Sequence, residues 1–259
     1  MPLSSTSLTK LVRNAENPVS LIALETINLA LNPKEKEEIK RRALEKLVTL
    51  TLRTARLSGV LPRIQHLLKE IEEALKSTCE FVLKVKIKST SRFLVHSREG
   101  ITYLLFEGGT VLHPVFGIPY IPSSSIKGAL RSYLASKGYD ENKLKTLFGG
   151  LVEGASRIII TDAYLTSFEG KIIEPEVTTP IYREPREDRA KPVPIIYPVI
   201  APGVKFTFFV GLKKGAKELY PEIKKDILHW ILSILKEGLG AKTSLGYGEF
   251  SGEFKWTRS

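Results

Sequence analysis

The amino-acid sequence predicts an α+β fold on three observations. Residues 1–78 repeat apolar positions at the spacing of amphipathic helices, and no strand-like alternation occurs before residue 80. From residue 81 onward apolar and polar residues alternate, a pattern that is typical of a half-buried strand. Strand-like and helix-like segments then follow in the order βαββαβ. We therefore expect a helical N-terminal region at 1–78 and an α+β domain at 79–259.

The N-terminal helices have recognisable starts. Asn32 followed by Pro33 is typical of a helix N-terminus, because proline lacks an N–H that the first helical residue would leave unbonded. Pro62 predicts the start of another helix by the same reasoning.

The first predicted strand, FVLKVKIK at 81–88, has two chemically different faces. Its apolar residues Leu83, Val85 and Ile87 alternate with Lys84, Lys86 and Lys88. Successive side chains of a strand point to opposite sides, so three ammonium groups share one face. Such a row either binds a polyanion or is simply solvated, and the sequence leaves both open.

The remaining elements complete a four-stranded pattern. They are a Gly/Pro-rich loop at 89–122, a helix at 124–137, a short helix at 141–148, a strand at 156–164, a Pro-rich insertion at 171–202, a strand at 204–212, a helix at 221–237, a glycine-rich loop and a strand at 249–256. Without the insertion this order is that of a ferredoxin-like (RRM-like) domain, with an antiparallel sheet and two helices on one face. The lysine row would lie on the other face, left free as in RRM domains.

The segment IPSSSIKGALR at 121–131 opens the first helix of this domain. Pro122 is followed by three serines, one of which is expected to be the N-cap. Two basic residues four apart share the outer face of this helix. Free N–H groups beside these cations suit a phosphate, although such a start is also commonly just a capped helix. The candidate phosphate contacts are Ser123, Ser124, Ser125, Lys127 and Arg131.

The loop GLGAKTSLGYGEF at 238–250 is rich in glycine and donors. Glycines at this density let backbone N–H groups approach an anion. A nucleotide-binding P-loop is excluded, because Lys236 stands where its first glycine belongs and the loop follows a helix. The anion is therefore expected to be a nucleic-acid backbone. The candidate contacts are Gly240, Lys242, Thr243, Ser244, Gly246, Tyr247 and Gly248.

Composition narrows the classes of function. The net charge of +11 favours a polyanionic partner bound on a folded surface. Cys79 is the only cysteine, which excludes disulfides and cysteine-based zinc sites within the chain. No apolar stretch is long enough to span a membrane, so we expect a cytoplasmic protein with no membrane partner. Scarce Gln, Met and Cys beside abundant Lys, Glu and Arg indicate a thermophilic source.

Several motifs resemble those of a known family. HPVFGIPYIPSSSIKGALRSYL at 113–134 and the glycine loop are similar to motifs of the RAMP superfamily of CRISPR-associated RNA-binding proteins. TDAYL at 161–165 and PVPIIYPVIAPGVKFTF at 192–208 follow in family order, so the resemblance covers residues 80–256. It implies that the helix start and the glycine loop line the path of a guide RNA.

Within this superfamily the chain is most similar to subunits of the type III-B Cmr effector complex. The resemblance implies a non-catalytic RNA-binding subunit in antiviral defence, with guide RNA (crRNA) and other Cmr subunits as partners. Whether target RNA is contacted as well stays open. In the backbone subunits of type III complexes a hairpin at the place of the insertion wedges between bases. Arg183 and Arg186 are therefore candidate RNA contacts, with a self-paired, solvated loop as the alternative.

Catalytic residues are harder to assign. Cleavage of target RNA in type III systems resembles metal-assisted phosphodiester hydrolysis. It needs an aspartate in the loop between the first strand and the first helix of the catalytic backbone subunit. Residues 89–122 contain Glu99 and Glu107 but no aspartate, so we expect no enzyme activity, metal or cofactor. The alternative is a metal-independent endoribonuclease that processes guide-RNA precursor, with His96 or His113 as acid or base. A nuclease that uses Glu107 is a third, weaker hypothesis.

Overall fold

The computed structural model describes residues 5–57, 59–95, 101–150, 154–179 and 194–258, with side chains from residue 8 onward. Its helices are α1 (Ser5–Arg13), α2 (Pro18–Leu31), α3 (Lys36–Leu57), α4 (Val60–Thr78), α5 (Ile101–Phe106), α6 (Ser123–Ser136), α7 (Glu141–Phe148), α8 (Ala216–Leu219) and α9 (Ile223–Glu237). Its strands are β1 (Phe81–Ser89), β2 (Tyr120–Ile121), β3 (Ile158–Ile160), β4 (Ala163–Phe168), β5 (Ile173–Thr178), β6 (Ile195–Ile200), β7 (Val204–Leu212) and β8 (Phe250–Arg258).

Contacts divide the chain into two compact units. The helical unit comprises residues 1–58, 96–119 and 171–200, and the sheet unit comprises residues 59–95, 120–170 and 201–259. Across the described ranges, no helix is both long and apolar enough to cross a membrane.

In the helical unit, α2 is capped by Asn17. Its side-chain oxygen accepts the N–H of Val19 at 2.8 Å, and Pro18 takes the first helical position. A 3₁₀ turn at Pro33–Glu35 leads into α3, which confirms the helix start predicted at Asn32 and Pro33. Apolar residues of α2 and α3 are buried in this unit, among them Leu21, Ile22, Ile39, Leu44 and Leu47.

The insertion is partly regular. Strands β5 and β6 pair antiparallel from Ile173 opposite Ile200 to Thr178 opposite Ile195. Sequence reasoning assigned no strands to the Pro-rich insertion at 171–202 and so missed this ladder, whose prolines are tolerated because the pairing has only two strands. Residues 180–193, which include Arg183 and Arg186, lie outside the described residues.

The sheet unit contains an antiparallel sheet in the order β2-β4-β7-β1-β8, with β3 also paired to β7. The α+β class with an antiparallel sheet is thus confirmed. The strand predicted at 156–164 is split in two, because the chain leaves the ladder at Thr161 and Asp162. The loop predicted at 89–122 holds a short helix, α5, and the two-residue strand β2.

The two faces of the sheet are both covered, though unequally. Gly252 of β8 pairs with Ile87, and a Cβ on Gly252 would lie 3.0 Å from Leu235, so α9 packs on the apolar face. On the lysine face, a Cβ on Gly211 would lie 2.5 Å from the sulfur of Cys79 and 3.2 Å from Leu75 of α4. The prediction that this face is free is therefore wrong: α4 packs against part of it.

Helix α4 lies before the predicted domain boundary at residue 79 but packs with the residues after it. It begins two residues before Pro62 and belongs to the sheet unit, whose strand β1 follows it directly. The division of the chain into 1–78 and 79–259 stays a prediction about domains, distinct from these contact units.

Candidate nucleic-acid interface

A basic groove lies in the sheet unit between α4 and the lysine face of the sheet. Its volume is about 670 Å³. The register of the strands fixes its floor, with Lys86 opposite Thr207 of β7 and Lys88 opposite Lys205 of β7 and Ser251 of β8. We call it the lysine groove; its charged lining residues are Lys69, Lys84, Lys86, Lys88, Lys205 and Glu253.

Both ends of the lysine groove carry ion pairs. At one end, Lys84 donates to Glu72 of α4 at 3.1 Å. At the other, Lys88 donates to both carboxylate oxygens of Glu169 at 2.9 and 3.0 Å, and Lys205 lies 3.8 Å from the same carboxylate. The hydrogen bond from Lys88 is the main reason that the pKa of Glu169 lies below its usual range.

The lysines in the middle of the groove, unlike those at its ends, form no ion pairs with the described residues. Lys86 on the floor and Lys69 on the α4 wall are exposed, and neither is ion-paired with any residue that the structure describes. Glu253 lies opposite Lys86 in the ladder without forming an ion pair with it. The centre of the groove thus presents ammonium groups to solvent.

The start of α6 is capped differently from the prediction. Pro122 occupies the cap position and no serine side chain caps the helix, so the expected serine N-cap is wrong. Instead the carboxylate of Asp162 accepts the N–H of Ser123 at 2.6 Å. A carboxylate is favourable at a helix N-terminus, so Asp162 supplies the negative charge there and ties α6 to the break between β3 and β4.

A cluster of cations lies one turn into α6. Burial first, and then the charges of Arg131 and Lys213, lower the pKa of Lys127. Arg131 itself donates to Glu141 at 3.0 Å. Lys127 therefore sits in a positive environment, while Arg131 has part of its charge compensated.

The glycine loop is folded back on the residues that follow β1. Several of its N–H groups already have carbonyl partners: Ala241 donates to Leu94 and Gly248 donates to Arg92, both at 2.8 Å. A 3₁₀ turn at Thr243–Leu245 forms its tip, with Ser244 and Gly246 exposed. The ammonium group of Lys242 lies 5.8 Å from the centre of the Tyr247 ring. The backbone of Lys242 is in the left-handed region, with φ 61°.

The structure does not bring the two predicted phosphate sites together. Ser123 is tied to Asp162, whose neighbour Thr161 bonds Phe209 opposite Lys84. The glycine loop is tied to residues 92–94. Lys84 lies five residues, or ~17 Å, from the end of β1 at Ser89, and residues 92–94 follow that end.

The candidate catalytic residues of the helical unit have structural partners. The Nδ1 atom of His113 accepts the N–H groups of Val115 and Phe116, both at 3.2 Å, and its ring stacks on Phe116. Glu107 bonds Lys36 and Lys40. His96 lies outside the described residues. Within the described ranges no group of three or more His, Cys, Asp or Glu residues could hold a metal ion.

Comparison with known proteins identifies the family. A family model of the RAMP superfamily matches residues 99–251, which span α5 to β8. The chain belongs to the RAMP superfamily. This RAMP protein is 30% identical over 241 residues to the CRISPR system Cmr subunit Cmr6 of Saccharolobus solfataricus, covering 92% of this chain and 80% of the relative.

A solved structure matches this RAMP protein over nearly its whole length. A chain from the cryo-EM structure of the type III-B Cmr-beta complex bound to cognate target RNA superimposes with a TM-score of 0.78 at 25% identity. The match covers 97% of each chain. The resemblance to subunits of the type III-B Cmr complex that the sequence motifs indicate is thereby confirmed, with Cmr6 as the matching relative.

Sequence reasoning missed some cations of this RAMP protein. Lys69 and Lys205 reach the lysine groove from α4 and β7, and Lys213 reaches Lys127 from the end of β7. Lys205 of β7 could have been found from the sequence, since it alternates with the apolar, buried residues Val204 and Phe206 and so lies on the opposite face of the strand. No sequence pattern places Lys69 in the groove, because only tertiary packing brings α4 onto the lysine face of the sheet.

Proposed function

We propose that this chain is a non-catalytic, RNA-binding subunit of a CRISPR type III-B (Cmr) ribonucleoprotein complex that acts in antiviral defence. The observation that carries the proposal is similarity over 92% of the chain to Cmr6 and over 97% to a chain of an RNA-bound Cmr complex. The net charge of +11 fits a polyanionic partner. Its partners are guide RNA, other Cmr subunits and, within the complex, target RNA.

A purification from the source cells tests this function. The tagged full chain should co-purify with the other Cmr proteins and with RNAs that share a constant 5′ tag. Recovery of the chain alone, or with RNAs of unrelated sequence, contradicts the proposal.

Three finer properties are part of the same proposal: the ferredoxin-like fold, the cellular location and the thermophilic source. The strand order β4-β7-β1-β8 fits the ferredoxin-like arrangement of the βαββαβ pattern, with α6 and α9 as its helices. A cytoplasmic location fits a protein that meets guide RNA, and a thermophilic source fits the composition.

The RNA contacts are proposed at the helix start and the glycine loop. Ser123, Ser124, Ser125, Lys127 and Arg131 form the first group, and Gly240, Lys242, Thr243, Ser244, Gly246, Tyr247 and Gly248 the second. Arg183 and Arg186 in the insertion are further candidates. Asp162 at the helix N-terminus leaves the cationic side chains, rather than the N–H groups, as the main phosphate ligands of α6.

Alanine at Lys127, Arg131 and Lys242 tests these contacts. The triple variant should bind RNA about tenfold more weakly, and the slope of log K against log salt should fall by roughly 0.7 for each phosphate that the variant no longer neutralises. Arg131→Ala alone should have the smallest effect, because Glu141 already compensates this guanidinium. Fluorescence anisotropy at several salt concentrations measures both quantities. Lys225→Ala, at an exposed lysine on α9, is the control; an unchanged slope in the triple variant places the RNA elsewhere.

The isolated chain should leave RNA intact, with or without Mg²⁺ or Mn²⁺. His113 is engaged in its own turn, and Glu107 is held by two lysines, so neither is poised for acid–base or metal chemistry. Labelled guide precursor and guide-complementary RNA are incubated with the protein and resolved on a gel. Specific products that vanish in His96→Ala or His113→Ala, but persist in His66→Ala, would support the processing endoribonuclease instead.

A further inference from the structure

We propose that the lysine groove binds the sugar-phosphate backbone of a single RNA strand, independently of its base sequence. The inference rests on the proposed function, which supplies RNA as the ligand. It adds a second RNA-binding surface on the face of the sheet opposite α9, and none of its residues belongs to the helix start or the glycine loop.

The spacing of the cations suits a polyphosphate. Lys84, Lys86 and Lys88 lie two residues apart on one strand face, so their Cα atoms are separated by about 7 Å. That repeat is comparable to the separation of successive phosphates in an extended single strand. Lys205 and Lys69 flank the row from β7 and α4, so a strand laid along β1 meets ammonium groups on the floor and on the wall of the groove.

The rest of the lining supports backbone contacts rather than base contacts. Thr166, Thr207, Ser251 and Gln65 offer hydroxyl and amide groups between the lysines. None of the described residues that line the groove is aromatic. Sheet surfaces that read bases stack them on aromatic rings, so the lining of the groove lacks the rings to select a base and retains the groups that hold phosphates.

The same features argue against a peptide in this groove. Extended peptides bind to sheets mainly through main-chain hydrogen bonds at an edge strand. The floor here is β1, whose backbone groups are already paired with β7 and β8 on both sides. On β1 only side chains remain to contact a ligand, and its charged ones are lysines.

The carboxylate of Glu169 competes with RNA phosphates for two lysines of the groove. It occupies Lys88 and Lys205, yet 60% of its side chain is exposed, so a phosphate can replace it at small cost. Glu72 is different, because 15% of its side chain is exposed and Lys76 holds it as well as Lys84. We therefore expect the RNA to enter at the Glu169 end and to leave the Glu72 pair intact.

Two opposite changes test the groove. Lys86→Ala combined with Lys205→Ala should weaken binding of single-stranded oligo-U, oligo-A and oligo-C equally, by roughly three- to tenfold, and lower the salt slope by about 1.4. Glu169→Gln should tighten binding of the same oligonucleotides by about two- to fivefold, since it releases both lysines. Fluorescence anisotropy of the full chain at several salt concentrations gives all of these values.

Matched controls separate local contacts from net charge. Lys225→Ala with Lys236→Ala removes the same charge from exposed positions on α9, and Glu237→Gln removes an exposed carboxylate that pairs with Lys137. Neither control should change the affinity by as much as the groove variants. Equal effects in groove variants and controls overturn the groove site.

The remaining outcomes distinguish this inference from the proposed function. A wild-type chain that binds no RNA and joins no Cmr complex overturns the proposed function. Wild-type RNA binding that is unchanged in the Lys86/Lys205 and Glu169 variants overturns the groove alone. If those variants bind RNA normally but fail to enter the complex, the groove serves a protein partner, which also contradicts the inference.

Discussion

Gly248→Ala should lower the free energy of unfolding by about 4 kcal/mol, whereas Gly246→Ala should lower it by about 1 kcal/mol. Both glycines have positive φ, near 80°, so both substitutions carry the same backbone strain. They differ in space: a Cβ on Gly248 would lie 2.0 Å from the carbonyl oxygen of Leu239, while nothing lies within 4 Å of one on Gly246. The steric clash therefore adds to the strain only at residue 248.

Thermal unfolding followed by circular dichroism measures the difference. Gly248→Ala should lower the melting temperature by about 10 °C, and Gly246→Ala by about 3 °C. Equal losses of stability in the two variants would contradict this account of the loop.

The glycine loop shows what sequence reasoning can and cannot supply. Its glycines, its lysine and its place between the last helix and the last strand are evident from the sequence. The prediction that the glycines free N–H groups for an anion considered only local chemistry. In the structure Gly240 and Gly248 allow close packing, with a Cβ on Gly240 lying 2.4 Å from the carbonyl oxygen of Leu94. That contact spans distant parts of the chain and leaves no local signal.

Glu107→Gln should destabilise the chain by about 2 kcal/mol, because it removes the carboxylate that pairs with a buried lysine. The side chain of Lys40 is 3% exposed and its ammonium donates to Glu107 at 3.0 Å. The expected loss is below that for a fully buried pair, since Glu107 is 46% exposed and water reaches its site. Lys36, the other partner, is 43% exposed and can be hydrated.

A second substitution separates this explanation from a general disturbance of the fold. Lys40→Met in the Glu107→Gln background removes the buried charge and should recover most of the lost stability. Chemical denaturation of the single and double variants gives the values. A double variant less stable than Glu107→Gln would show that Lys40 is not the source of the loss.

The same ion pair predicts a pH dependence. Hydrogen bonds from Lys36 and then Lys40 hold the pKa of Glu107 below its usual range. A carboxyl with a lowered folded-state pKa stabilises the fold above its unfolded value, about 4.3, and loses that contribution as the pH falls through the folded value. Stability of the wild type should therefore decline in acid more steeply than that of Glu107→Gln.

The fold was predictable wherever the signal was local. The strands predicted at 81–88, 204–212 and 249–256 match β1, β7 and β8 within two residues, and the helix predicted at 141–148 has the observed bounds of α7. The position of α4 was not predictable, because its sequence is equally consistent with a separate helical region. The lysine row was therefore recognised as a surface, whereas the groove made by α4 across it was not.

The position of β1 between β7 and β8 determines when the sheet can be completed during synthesis. Ser89 bonds Val204 across 115 residues, and Val82 accepts a bond from Thr257 across 175. At the ribosomal rate of roughly 5–20 residues per second, β1 spends on the order of ten seconds outside the ribosome before β7 follows it. During that time α4, made just before it and packed against it, can shield the strand. The floor of the lysine groove is complete only after β8 emerges, so the RNA binding proposed for this face requires β8 to have been made.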